Sequence, residues 1–115
     1  MSAKVNYING LYELMQEKFG DRFIGYALPD MGIIEGRIDK RKFSLFCHSW
    51  HIKFEITYRN NDLLLSEMSN IIHEYNGNEN IRCQYNVTSC ERNSEEMDFL
   101  LGNRIDEEKG LSYKK

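Results

Sequence analysis

A chain of 115 residues with 41% apolar and 29% charged side chains is expected to form one globular domain, with room for one core but not for a large catalytic cleft beside it. No apolar run approaches the ~18 residues of a membrane helix. The net charge of −3 disfavours sequence-independent binding to phosphate backbones over the whole surface. The opening MSAKVNYING lacks the charged-then-apolar pattern of a secretion signal, so a cytoplasmic location is expected. Cys47, Cys83 and Cys90 are odd in number and contain no close pair, which argues against a disulfide framework.

The first segment places Val5, Ile8, Tyr12, Met15 and Phe19 at near-helical spacing and is followed by Gly20, which predicts a helix over residues 4–19. Gly10 inside it costs about 1 kcal/mol against alanine. From Arg22 the period changes to two. Ile24, Tyr26 and Leu28 share a face, Pro29-Asp30 marks a turn, and Ile34, Gly36 and Ile38 point inward with Glu35 and Arg37 outside. The polar run from Asp39 to Lys42 is a second turn.

The apolar set then sits on odd numbers through Phe43, Leu45 and Cys47, and on even numbers through Trp50, Ile52, Phe54, Ile56 and Tyr58. Side chains of a strand alternate strictly, so one flat strand cannot hold both sets. A two-residue loop at His48-Ser49 repairs the phase and pairs Cys47 with Trp50, Leu45 with Ile52 and Phe43 with Phe54. A bulge is the competing repair. Either sends Cys47 and His51 to opposite faces, so the run CHSWH is read as structure, with no metal site.

A second helix over 62–76 is capped by Asn61 or Asp62, buries Leu64, Met68, Ile71, Ile72 and Tyr75, and stops at Gly77. Ile81, Cys83, Tyr85 and Val87 alternate with polar residues, as in a half-exposed strand. Asn93 with Glu96 three residues later resembles a capping box, so a third helix carrying Met97, Leu100 and Leu101 is expected up to Gly102. The predicted fold is α+β: an antiparallel sheet of about five strands, a four-strand meander plus one returning strand, with helices packed on one face, in the order α-β-β-β-β-α-β-α. The returning strand is expected parallel to the fourth and beside the first. The domain spans residues 1–102, and residues 103–115 form a polar, mobile tail. This element order is broadly similar to that of secretion chaperones and of several inhibitor and immunity proteins, but no residue motif ties the chain to them.

No phosphate loop, CxxC pair, HExxH or nucleophile elbow is present, so no catalytic residue, cofactor or metal is expected. His51 is the best candidate base, but Glu55, four residues along the same strand, would stand about 13 Å away, beyond hydrogen-bond reach. Charge is segregated. The stretch from Arg37 to Arg59 carries +4, and that from Glu91 to Glu108 carries −5. Two contact surfaces follow. One is an acidic segment, Glu91, Glu95, Glu96 and Asp98, read as an exposed helix start. The other is a basic sheet face, Arg37, Lys40, Arg41, Lys42 and Lys53 around Phe46. Phe46, Phe23 and Phe99 are the candidate apolar contacts. The expected function is a non-catalytic protein-binding module, monomeric or homodimeric. An inhibitor or immunity-type protein of a phage or mobile element, such as an anti-CRISPR or anti-defence protein, is its concrete form. Two alanines, one proline and abundant Asn, Ile, Lys and Tyr fit an AT-rich source. The alternative is a nucleic-acid-binding domain using the basic face.

Overall fold

Seventeen residues, Ala3–Phe19, form helix α1 in the computed structural model, which describes residues 3–48, 51–59, 62–77, 82–88, 94–100, 103–106 and 111–114. Helix α1 turns Tyr7, Ile8, Leu11, Met15 and Phe19 into the core and ends at Gly20 with φ 57°. Strands β1 (Phe23–Leu28), β2 (Ile33–Ile38), β3 (Arg41–Cys47) and β4 (His51–Thr57) follow as the expected antiparallel meander. Helix α2 (Leu63–Asn76) starts on the Asp62 carboxylate, which accepts from the Leu64 amide at 3.1 Å, and stops at Gly77 with φ 81°. Strands β5 (Arg82–Thr88) and β6 (Ser94–Leu100) complete a six-stranded sheet in the order β1-β2-β3-β4-β6-β5, antiparallel at every step. Among the described residues no helix is long and apolar enough to cross a membrane.

Both helices lie on one face of this sheet. There Ile34, Ile38, Phe43, Leu45, Ile52, Phe54, Ile56, Met97 and Phe99 join the helix stripes in one core. Burying each such side chain contributes about 1.5–3 kcal/mol. Tyr7 and Tyr75 meet edge-on between the helices at 5.0 Å, and the Tyr75 hydroxyl donates to the Tyr7 carbonyl at 2.7 Å. Gly10 permits this approach, because a Cβ there would stand 2.3 Å from the Tyr75 hydroxyl oxygen. Gly36 stands opposite Gly25 with φ 152°, and a Cβ on it would meet the Ile24 carbonyl oxygen at 2.2 Å.

Several expectations change. The third helix is strand β6: Glu95, Met97 and Phe99 face the core while Glu96 and Asp98 take the other face, a period of two. Strand β5 does run parallel to β4, but β6 lies between them, and β5 forms the sheet edge farthest from β1. In the β3–β4 hairpin Cys47 faces Ile52, Leu45 faces Phe54 and Phe43 faces Ile56, a two-residue slip from the expected register. The faces survive the slip because two residues is one full strand period. His48 closes the hairpin by donating to the His51 carbonyl at 2.8 Å. Trp50 lies outside the described residues. Ile24, Tyr26 and Leu28 share a face as expected, but it is the open one. Phe23 and Phe99 are core residues rather than exposed contacts. Within the expected tail, β7 (Asn103–Asp106) and β8 (Leu111–Lys114) pair as a separate two-stranded sheet.

Candidate functional site: the open face of the sheet

Among the described residues a charged cluster lies on the inner face. Arg41 begins β3 on the same side as Phe43 and Leu45 and is only 7% exposed. Its guanidinium forks onto the Asp62 carboxylate, one oxygen at 2.9 Å, and also donates to the Thr57 carbonyl and, at 3.2 Å, to Glu95. Glu95, fully buried, also accepts from the Arg59 amide at 3.2 Å. Burial pushes the Asp62 carboxyl up, but its hydrogen bonds with Arg41 and Glu95, the Arg41 charge and the Leu64 amide outweigh that and hold it below its ordinary value of 3.8. The cluster ties the start of β3, the cap of α2 and the start of β6 into one joint. Arg41 and Glu95 are therefore structural, and neither presents the free charge expected of a contact residue.

The open face is patterned by diagonal contacts between β4 and β6. His51 Nε2 lies 2.9 Å from Asp98 Oδ1, Lys53 Nζ lies 3.4 Å from Glu96 Oε1, and the Ser94 hydroxyl donates to Glu55 at 3.0 Å. Each joins a β4 residue to the residue two places beyond its direct partner, the offset that sheet twist brings within reach. Glu96 and Asp98 are thus spent on the sheet rather than exposed on a helix. Glu91 lies outside the described residues. The carboxylate beside His51 is Asp98, across the strands, whereas sequence spacing offered only the distant Glu55. At the hairpin end His48 stacks parallel to His51 at 6.2 Å and packs on Phe46 at 4.3 Å. Among the described residues no group of three or more His, Cys, Asp or Glu side chains could hold a metal ion.

Between these contacts and the β1 edge the sheet forms a groove of about 670 Å³, lined by Tyr26, Glu35, Arg37, Lys42, Ser44, Glu55, Thr57 and Ser94. Tyr26 donates to Glu35 at 2.7 Å across β1 and β2. Ile24, 74% exposed, Tyr26, 51% exposed, and Met31 present apolar surface along the same edge. The edge itself is partly closed, because the Tyr12 hydroxyl of α1 donates to the Gly25 carbonyl at 3.0 Å.

One end of the groove is cationic. Arg37 and Lys42 face each other across β2 and β3, Lys40 lies in the connecting turn, and Arg59, after β4, is close enough for its charge to act on the turn residue Asp39. All four side chains are exposed. The turn acid, Asp39, is drawn away by two 2.8 Å hydrogen bonds from Arg22. Those bonds, against a burial cost and helped by the charges of Arg22, Arg59 and Arg41, hold its carboxyl below the usual range. Of the expected basic face, then, Arg37, Lys40 and Lys42 stand together, Phe46 is half-buried beside His48, and Arg41 and Lys53 are engaged internally. Arg59 was not among the expected contacts. Its place at the end of a strand antiparallel to β3 was the signal that could have found it. Comparison with family models, with curated proteins and with solved structures finds no match to this chain.

Proposed function

We propose that the protein is a non-catalytic binding module whose open sheet face engages a protein partner. The observation that carries the reading is the asymmetry of the sheet. Both helices cover one face, and the other is a shallow groove of about 670 Å³ mixing exposed aromatic, aliphatic and charged side chains. Small-molecule sites are concave, mostly apolar and enclosing, whereas a shallow, mixed surface with apolar anchors at one edge suits a protein surface. An inhibitor or immunity-type role, as for a phage or mobile-element protein acting on a nucleic-acid-handling enzyme, is the form of this function we favour. Its support is small size and AT-rich composition.

Nucleic-acid binding by the same face is less well supported. Glu35 and Glu55 line the groove beside Arg37 and Lys42 and would repel a phosphate backbone laid along it. The test is affinity capture from host lysate with the wild type, an open-face variant (Tyr26→Ala with Ser44→Arg) and a helix-side variant (Glu13→Lys). A partner retained by the wild type and by Glu13→Lys, and lost by the open-face variant, is the expected result. A partner lost only with Glu13→Lys, or measurable turnover of a small molecule at this face, contradicts the reading.

A further inference from the structure

The cations whose side chains are described, from Lys18 to Arg59, divide into two sets. Lys18 pairs with Glu74, Arg22 with Asp39 and Glu67, Arg41 with Asp62 and Glu95, and Lys53 with Glu96. Arg37, Lys40, Lys42 and Arg59 enter no ion pair among the described residues; Arg37 and Lys42 line one end of the open groove, Lys40 lies in the turn joining their strands, and Arg59 is near enough to the turn for its charge to act on Asp39. From this we infer that the four-cation end anchors an acidic segment of the partner protein, an inference that rests on the protein-binding reading above.

Two features mark this end as unfavourable to the isolated fold. Arg37 and Lys42 are directly opposed on adjacent strands, where like charges destabilise a sheet. Asp39 and Lys40 occupy the two-residue turn with φ 54° and 68°; Asp is at home at the first position, but the second is one where Gly is preferred and a lysine is strained. The Asp39 side chain is held by hydrogen bonds from Arg22. Among the described residues the Lys40 side chain makes no hydrogen bond or ion pair, and its carbonyl accepts from Arg37 at 3.3 Å. An incoming anion would relieve the repulsion between the opposed cations.

The rest of the groove decides the kind of anion. Two residues along β2 from Arg37 comes Glu35, and two along β4 from Thr57 comes Glu55. Successive residues on one strand face are about 7 Å apart. A polyphosphate chain running the length of the groove would leave the cations and meet these carboxylates within one nucleotide. A protein segment with one or two acidic residues followed about 7 Å on by a lysine or arginine matches both halves.

The experiment uses the full chain and two labelled probes: a 12-residue peptide of Ser and Gly carrying two adjacent acidic residues with a lysine two positions on, and a 12-nucleotide oligothymidylate. Fluorescence anisotropy at low and moderate salt is read for the wild type, Arg37→Glu with Lys42→Glu, the size-conserving Arg37→Gln with Lys42→Gln, Lys40→Glu with Arg59→Glu, and Lys18→Gln as a control away from the groove. Circular dichroism confirms that each variant is folded. The expected result is saturable peptide binding, weakened at least about thirtyfold by either charge reversal, weakened less by the Gln pair, and unchanged within about twofold by Lys18→Gln. Tighter binding of the oligonucleotide overturns the inference in favour of nucleic acid, and binding of neither probe overturns it outright. The captured partner separates this inference from the reading beneath it. A partner lost from the Tyr26→Ala, Ser44→Arg variant but retained by Arg37→Glu with Lys42→Glu contradicts the cationic anchor and leaves the protein-binding function standing. If the wild type retains no partner that open-face changes remove, that function itself fails.

Discussion

Arg41 and Lys42 are neighbours in sequence and alike in charge, yet strand β3 sends them to opposite worlds. Arg41 enters the helix-covered face, where its two terminal guanidinium nitrogens bond Asp62, Glu95 and the Thr57 carbonyl. Lys42 stands on the open face, opposed by Arg37 and exposed. On the closed face charge is rare, buried and multiply bonded, and removing one partner strands the others. On the open face charge is frequent and shallow, either paired diagonally or unpaired. The difference teaches that local charge in sequence does not define a surface; the strand's two-residue period divides it first.

The largest effect should come from breaking the closed face. Arg41→Met leaves Asp62 and Glu95 buried without their cation, and should cost about 3–5 kcal/mol in urea denaturation. Lys42→Met should stay within about 0.5 kcal/mol of the wild type. A smaller loss for Arg41 than for Lys42 would erase the contrast between the faces. Next is Gly36→Ala, whose Cβ would collide with the Ile24 carbonyl at a backbone φ of 152°. A destabilisation of about 1–3 kcal/mol is expected in the same assay.

The pH dependence should also belong to the closed face. The Asp62 carboxyl is held below its ordinary value of 3.8 in the folded chain. Stability from a depressed carboxyl is complete above the unfolded value and is lost as pH falls through the lower folded value. Acid titration of the melting temperature should therefore show a loss below that ordinary value, shallower in Asp62→Asn, which can still cap α2. Small effects are expected of His51→Ala and Lys53→Ala, at most about 1 kcal/mol each by denaturation, since their partly exposed pairs are screened by water.

Most of the scaffold was legible because its apolar residues keep time. Helices α1 and α2 and strands β1 to β5 follow periods of 3.6 or 2 that the residues display openly. Strand β6 was hidden by a single residue. Glu95 occupies an inward position, so the alternation through Met97 and Phe99 looked broken, and Asn93 with Glu96 mimicked a helix cap. Only after Arg41 and Asp62 are brought to the same spot from 54 and 33 residues away does a carboxylate there make sense. The β3–β4 register was underdetermined for a different reason: parity fixes faces but is blind to a slip of two. For the site, Arg37, Lys40 and Lys42 were visible as a charge run, but the inward position of Arg41, on the same odd numbers as Phe43 and Leu45, was a signal passed over. The diagonal pairs of His51 and Lys53 with β6 depend on a strand neighbour that sequence spacing does not reveal.

Lysine acylation read by mass spectrometry tests the central claim, that the open face is the working surface, most directly. The protein is labelled free and in complex with its captured partner, and each lysine is its own reporter. Lys40 and Lys42 stand at the cationic end of the groove, and Lys18 lies on the helix side beside Glu74. The expected result is strong protection of Lys40 and Lys42 in the complex with Lys18 unchanged. Protection of Lys18 with Lys40 and Lys42 labelled as in the free protein would place the partner on the helices and contradict the claim.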